Sequence, residues 1–420
     1  MVFRSLAQRL SVIPGRSRNR WLMALLGAMT AQQTWAFETT LPGVEIRAET
    51  TLQSLAADDH YGTFGGHDRY LNLEGRLDVS ATCIASWCAG TRLMLKPRVR
   101  YFRSDTNLPS LPEPKTFSWT EAYATGHVSD AFTWLAGKRY LAWGPGLLYS
   151  PTNRLFPDNG TATPRREIAG KWMGMASYSP TSTTTVSGLI ADPYLQATPG
   201  ISGSGGFGLL HAEYQSTGAR PTSAGVVAGG GGAYRPYIGG YIQRLLDDAW
   251  TVGAEFSASR GYASTTGSGP ALRENDRRWM ADALVNLRYG LRSGGELGVE
   301  YIYNGYRLGR EAMRDPVLAA QPAGGAWQTR NRSLHPLPEG HYLNLQALLP
   351  SLFGDRRFGV VFRTLTALSS GGNLTFLELS FSPRDDVTAY LGLTRTFGPS
   401  DAPLVRSLSH GVYAAIEIYL

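Results

Sequence analysis

The chain of 420 residues lacks any long hydrophobic run. A helix that crosses a bilayer needs roughly 20 consecutive apolar residues, and no window here approaches that length, so no internal helix spans a membrane. Cysteine is nearly absent: the two residues are Cys83 and Cys88, in the stretch CIASWC. A metal site built on them would need two further ligands, and no histidine lies near them in sequence. The seven histidines (His60, His67, His127, His211, His335, His341, His410) stand outside any local pattern with Ser, Asp or Glu, so the chain is not read as an enzyme, and neither cofactor nor metal is expected. GSGGFG (203–208) has the spacing of a dinucleotide loop, but it precedes a strand pattern and opens no helix, which removes that reading.

Acidic residues are missing altogether from the first 36 positions, which hold five arginines: Arg4, Arg9, Arg16, Arg18 and Arg20. An apolar stretch of 11 residues, WLMALLGAMTA (21–31), follows, and then Thr34-Trp35-Ala36 with small residues at the positions that define cleavage. This is the layout of a secretory signal, so the expected division is a signal peptide over 1–36 and one domain over 37–420. Without those arginines the net charge falls from +7 to +2, and a nucleic-acid partner loses its support. Behind a secretory signal, the close cysteine pair reads as a disulfide, Cys83–Cys88, closing a small loop.

What the chain does have is glycine (49 residues), aromatics (11%) and alternation. NLEGRLDVS (72–80) puts Leu73, Leu77 and Val79 on one face and Glu74, Arg76 and Asp78 on the other. AWTVGAEFSAS (249–259) alternates in the same way, and ADALVNLRYGL (281–291) with ELGVEYIYN (296–304) reads as a hairpin around Ser293-Gly294-Gly295. About 18 segments of this kind follow one another. Their connections alternate between short (HVSD 127–130, SPTS 179–182, LLDD 245–248, SPRDD 382–386) and long (104–115, 142–166, 192–206, 261–277, 305–340, 396–407). Up-and-down strands show their turns at two ends, and tight turns at one end with long loops at the other characterise outer-membrane barrels. A soluble sandwich or propeller has no reason to alternate. The expected fold is all-β: a transmembrane up-and-down antiparallel β-barrel of about 18 strands (at the fewest about 16), in a bacterial outer membrane.

The last residues fit the same scheme. HGVYAAIEIYL (410–420) is an amphipathic strand that runs to the final residue. In a barrel it must pair with the first strand, expected over 43–55, because lipid leaves no edge unpaired. Its pattern resembles the C-terminal signature of outer-membrane proteins, which implies recognition by the barrel-assembly machinery; here it closes on Tyr419-Leu420. Tyr101, Trp119, Trp134, Trp250, Trp279, Tyr301, Tyr303 and Tyr419 fall near strand ends, as an interfacial girdle requires, with membrane lipid and lipopolysaccharide outside it. They would also serve as core in a sandwich.

With apolar faces on lipid, polar faces line the lumen. RLMLKPRVRYF (92–102) then aims Arg92, Lys96, Arg98 and Arg100 inward as a basic ladder, joined by Arg76, Arg139, Arg288 and Arg363. Glu74, Asp78, Glu121, Glu255, Asp282, Glu300 and Glu378 interleave with them. Two readings stand: cross-strand pairs that brace the wall, or a ligand track, since rings of Arg or Lys favour anions. The stretch GKRYLAWGPGLLYSPTNRLFPDNG (137–160) leads from a strand into a loop too long for a turn, able to fold inward as a constriction or to cover the mouth. Trp143 beside Asn153 and Arg154 has the mixture that carbohydrate surfaces use.

R-x-x-x-W-G-P-G followed by S-P-T-N-R-L-F-P resembles a motif of the outer-membrane capsule-assembly barrels. GVEYIYNGY (298–306) and EGHYLNLQ (339–346) are similar to segments of alginate-export-like porin barrels. The resemblance implies an 18-stranded barrel that assembles, retains or exports a surface polysaccharide, with an acidic glycan as partner. The other expectation is a porin-like channel for passive diffusion of small anions. GREAMRDPVLAAQ (309–321) reads as a short helix within the longest connection.

Overall fold

The computed structural model describes residues 37–41, 44–61, 66–104 without 87 and 89, 115–156, 167–192, 206–231, 234–260, 279–305 and 337–419 without 338, 353, 401 and 408. The expected signal peptide, the expected helix over 309–321 and most of the longer connections lie outside these residues.

The strands run in order: β1 (Phe37–Leu41), β2 (Val44–Tyr61), β3 (Gly66–Cys83), β4 (Arg92–Ser104), β5 (Lys115–Ser129), β6 (Phe132–Arg139), β7 (Lys171–Thr181), β8 (Thr184–Asp192), β9 (Phe207–Gln215) and β10 (Thr222–Gly231). They continue as β11 (Tyr234–Leu245), β12 (Trp250–Arg260), β13 (Trp279–Gly290), β14 (Glu296–Asn304), β15 (His341–Leu349), β16 (Phe358–Ala367), β17 (Asn373–Arg384), β18 (Val387–Phe397) and β19 (Ser409–Tyr419). From β2 to β19 each strand pairs antiparallel with its sequence neighbours, and β19 pairs back onto β2 from Ser409↔Tyr61 to Tyr419↔Thr51. Eighteen strands therefore close into one barrel, as the sequence predicts. The short β1 pairs with β2 from Phe37↔Ala48 to Leu41↔Val44, on the stretch that β19 leaves open.

Closure answers a physical demand. Hydrocarbon offers no hydrogen-bond partner, so every backbone N–H and C=O must find one inside the wall. Among the described residues no helix is long and apolar enough to cross a membrane, which leaves the strands. Their outward side chains are exposed and apolar: Val99, Phe117, Ile190, Leu210, Val226 and Ile238 are each more than half accessible. Side chains of this size gain about 1.5–3 kcal/mol each on leaving water, and so large an apolar surface calls for lipid. Of the expected girdle, Tyr101, Trp119, Trp250, Trp279, Tyr301 and Tyr419 are exposed, whereas Trp134 and Tyr303 are half-buried.

The long connections all leave one rim, which also carries the short links 62–65, 232–233 and 368–372, whereas every link at the other rim has eight residues or fewer. At the short-turn rim Asp247 accepts the backbone N–H groups of Ala249 and Trp250, both at 2.8 Å; these bonds hold its carboxyl below the usual carboxylate range. At the same rim Cys83 and Cys88 are joined by a disulfide, their Cα atoms 5.8 Å apart.

The interior departs from expectation in one sector. Along β6–β10 a run of inward positions is apolar: Leu135, Met173, Leu189, Phe207, Leu209 and Val227 are buried together with Leu155, Phe156 and Tyr237, and the inward Ser177 and Ser187 bond each other. Residues on both faces of these strands are apolar, one set for lipid and one for a dry interior. The expected polar lining holds on β2–β5 and β12–β17, where Gln53, Glu74, Arg98, Glu255, Asp282, Asn286, Glu300, Asn344, Gln346 and Glu378 are buried.

A charged clasp crosses the closing seam. Arg76 on β3 reaches over β2, donating to Gln53 Oε1 (2.7 Å) and to Glu417 Oε1 on β19 (3.5 Å), while the Tyr390 hydroxyl of β18 donates to Glu417 Oε2 (2.9 Å). Glu417→Ala leaves both donors without this acceptor in a buried setting, at a cost of about 1–3 kcal/mol. The temperature at which the folded band converts to the unfolded one in a heat-shift gel is expected to fall. Removing the exposed Arg47–Glu45 pair with Arg47→Ala is expected to leave it unchanged.

Candidate functional site

Two structures face each other inside the barrel. The first is the connection that leaves β6, residues 140–156, which folds inward and lies on the wall of β11–β14. Glu255 of β12 accepts three donors from it at one oxygen: Ser150 Oγ (2.6 Å), Thr152 Oγ1 (2.6 Å) and Thr152 N (2.8 Å). Glu300 of β14 accepts the Leu147 N–H (2.7 Å) and the Leu148 N–H (3.2 Å). Asp282 of β13 accepts the Tyr149 hydroxyl (2.7 Å), and the Asn286 amide donates to Pro145 O (2.7 Å). Tyr237 of β11 donates to Thr152 O (3.0 Å) and carries the Arg154 guanidinium 4.6 Å above its ring. The donors and carbonyls of a loop would cost several kcal/mol if buried unmet; here the wall meets those named, while the Trp143 indole N–H is buried without a hydrogen-bond partner.

Local sequence dictates this path. Gly144 has φ +83°, and a Cβ there would come within 2.5 Å of Glu255, so the Trp-Gly-Pro-Gly turn is open only to glycine at that point. On the wall, a Cβ at Gly253 would meet Pro145 at 2.6 Å: a strand glycine marks the close approach. Asn153 is fully buried, donating to Leu141 O (2.8 Å) and accepting the Phe156 N–H (3.1 Å). Trp143 stacks on His211 of β9 with ring centroids 5.6 Å apart. Trp143, Asn153 and Arg154 thus serve to fold the loop and seat it. Arg139 lies over the Tyr123 ring at 4.7 Å.

The second structure is a charged network on β3–β5, which stands opposite β12–β14 in the eighteen-strand ring. Arg100 binds Glu74 Oε2 (2.8 and 2.5 Å), and Arg76 binds Glu74 Oε1 (2.6 Å). Arg98 makes a two-pronged contact with Glu167 (2.6 and 2.9 Å) and reaches Asp78 (2.7 Å) and the carbonyls of Leu77 and Pro97 (both 3.1 Å). Lys96 lies 2.7 Å from Glu121, whose other oxygen accepts the Tyr140 N–H at 3.0 Å, so the network also fixes the start of the inward loop. Between Lys96 and Pro97 the register with β5 shifts. Thr120 turns its hydroxyl to Lys96 O (3.2 Å). The bulge re-aims Glu121, which simple alternation after the outward Phe117 and Trp119 would place on lipid.

Of the ladder read from sequence, Lys96, Arg98 and Arg100 come together with acids, while Arg92 is exposed at the short-turn rim. Arg363 sits on β16 between Gln346 and Phe376. Sequence reasoning missed Glu167, Tyr149, Ser150, Thr152 and Glu417. A carboxylate in a connecting segment, such as Glu167, carries no strand periodicity that would have flagged it.

No protein-family model matches the chain, and no curated relative does. Solved structures do match in fold. OccK5 (OpdH) of Pseudomonas aeruginosa superposes with a TM-score of 0.54 at 9% identity, covering 89% of this chain and 98% of its own. A BenF-like porin from Pseudomonas fluorescens and the outer membrane protein opdK from Pseudomonas aeruginosa each give 0.53 at 12%, covering 89% and 98%. This chain has the porin fold. Its closed wall and apolar belt place it in the bacterial outer membrane. The resemblance to capsule-assembly and alginate-export barrels finds no support in these matches; of the residues that carried it, Trp143, Ser150, Thr152 and Asn153 are used in seating a loop.

Glu255→Ala removes the acceptor of three loop donors, each costing about 1–3 kcal/mol when left unmet. The expected outcome is a loosened loop: external protease cuts within residues 140–156 of the reconstituted protein, where the unaltered protein resists, while the heat-shifted band shows an intact barrel. Equal resistance would mean that this carboxylate is not what holds the loop.

Proposed function

We propose that the chain is a porin-like channel for passive diffusion of small hydrophilic solutes that carry an anionic group. The observation that carries this reading is which partner of each ion pair remains accessible. In the Glu74–Arg76–Arg100 cluster the acid is buried (3% of its side chain accessible), whereas the Arg100 and Arg76 side chains keep 28% and 17%. Both point into the barrel, so their accessible surface faces the lumen. A solute carboxylate passing there meets guanidinium, whose planar fork binds it with two parallel hydrogen bonds. Arg98 differs: it is 2% accessible and holds Glu167 and Asp78, which leaves the acids of that rung facing inward. Arg98 is a brace, and Arg76 takes the place in the track that the sequence assigned to it. A barrel of 16–18 strands is wide enough for an aqueous path, and the inward loop narrows it from the opposite side.

In planar bilayers under a salt gradient, the unaltered protein is expected to conduct with anion preference. Arg76→Glu with Arg100→Glu is expected to lower the anion-to-cation permeability ratio several-fold, and Arg92→Glu at the exposed rim to leave it nearly unchanged. An unaltered ratio in the double variant would refute the role of these two arginines. Absence of conductance even after Glu255→Ala would refute the channel.

A further inference from the structure

Toward the short-turn rim, below the dry sector, the inward face of β7–β11 becomes polar. On β9 the inward Phe207 and Leu209 are buried, whereas Leu210 and Tyr214 are exposed on the outer face. Side chains alternate along a strand, so His211, Glu213 and Gln215 face the interior. Glu213 pairs with Thr185 of β8 and Gly225 of β10, and Gly225 pairs with Tyr241 of β11. Ser179 of β7 joins this rung, its hydroxyl 3.0 Å from that of Thr185. Glu213, Ser179, Thr185 and Ser223 are all half-buried.

Glu213 accepts only neutral donors. Gln215 Nε2 donates to Glu213 Oε1 at 2.7 Å, and Ser223 Oγ donates to the same oxygen at 3.2 Å. The Tyr241 hydroxyl is also turned to Glu213 and lies 3.0 Å from His211 Nε2. Tyr241 reaches across β10 because residue 225 is glycine: a Cβ there would stand 2.4 Å from the tyrosine ring. His211 carries the stacked Trp143 on its ring, so the cluster is continuous with the seated loop. Among the described residues no lysine or arginine forms an ion pair with Glu213. Arg244 of β11 falls on the outward parity, three residues from the inward Tyr241, and Arg220, in the turn after β9, acts on Asp247. The carboxylates of β3–β5 hold cations and those of β12–β14 hold the loop. Glu213 does neither, and it presents a charge to the lumen.

The lining specifies the class of cation. A divalent ion such as calcium takes about six to eight oxygens, several of them from carboxylates. Among the described residues no group of three or more His, Cys, Asp or Glu could hold a metal. A primary ammonium asks for less: it has three N–H donors to place. Ser223 gives its proton to Glu213 and keeps its lone pairs, and a hydroxyl pair such as Ser179–Thr185 retains lone pairs on both oxygens. We propose that Glu213, with Ser223 and the Ser179–Thr185 pair, binds the primary ammonium group of a small amine on the lumen wall. The carboxylate supplies the charge and one strong acceptor. The hydroxyl oxygens take the remaining N–H donors. The site stands apart from Arg76 and Arg100, and its occupancy is measured without conduction through the barrel.

The test is a saturation-transfer NMR titration of the folded barrel in detergent micelles near neutral pH. The ligands are n-propylammonium, n-propanol and tetramethylammonium. Propylammonium is expected to bind, and the alcohol and the quaternary ion to bind at least tenfold more weakly. Glu213→Gln keeps the shape and removes the charge, and it is expected to weaken propylammonium binding at least tenfold. Ser223→Ala is expected to weaken it several-fold. Asp248→Asn, at an exposed acid of the turn after β11, is expected to leave it unchanged. Undiminished binding by Glu213→Gln overturns the proposal. So does tetramethylammonium binding as tightly as propylammonium, because the hydroxyl acceptors would then have no part. If Glu213→Gln yields no folded barrel, the unaltered protein decides: equal binding of propylammonium and propanol overturns the proposal.

Discussion

The pairing of β19 with β2 is the contact on which the rest depends. In hydrocarbon an unpaired strand edge exposes a row of backbone groups, each costing several kcal/mol. Closing the sheet removes the edge, and once closed, the wall sorts every side chain by parity: one set for lipid, the other for the interior. The eleven register pairs from Ser409↔Tyr61 to Tyr419↔Thr51 make that sorting consistent around the ring. Arg76 and Glu417 add a side-chain contact across the same seam.

Inside, carboxylates are put to two uses. On β12–β14 they accept neutral donors from residues 140–156 and hold a stretch of irregular backbone against the wall, which irregular backbone requires at membrane depth. On β3–β5 they accept guanidinium and ammonium groups. The bulge opposite Pro97 links the two, because it turns Glu121 toward both Lys96 and the Tyr140 N–H. One wall thus sets the width of the interior and the other its charge.

Most of the architecture was legible in sequence. Strand starts fall within about four residues of those expected from alternation, the cysteine pair is bonded, and residues 142–166 were already marked as unlike a turn. Parity explains this success, because it is a local property. What stayed hidden was non-local. Whether Arg98 or Arg100 offers its charge to the interior depends on Glu167, far away in the chain and in no strand. The dry sector at β6–β10 was obscured because Leu189-Ile190, Leu209-Leu210 and Val226-Val227 put apolar residues on both faces. The likeness to polysaccharide barrels is left without support for a physical reason: Trp143, Asn153 and Arg154 look like a glycan surface in isolation, but they are used in the packing of their own loop.

The short strand β1 has a consequence for the wall as an object. It takes up the edge of β2 at Ala48, three residues from where β19 ends at Thr51, and runs in the same direction as β19. Tyr419 and Phe37 are therefore collinear along one edge, separated by about 10 Å at the rise of a strand. The two terminal strands form a splice rather than a seam with loose flaps. Mechanically the sheet is a hoop with a single nick, and at that nick β19 and β1 lie end to end along one edge of β2, so the hoop is held shut over almost the full length of that strand.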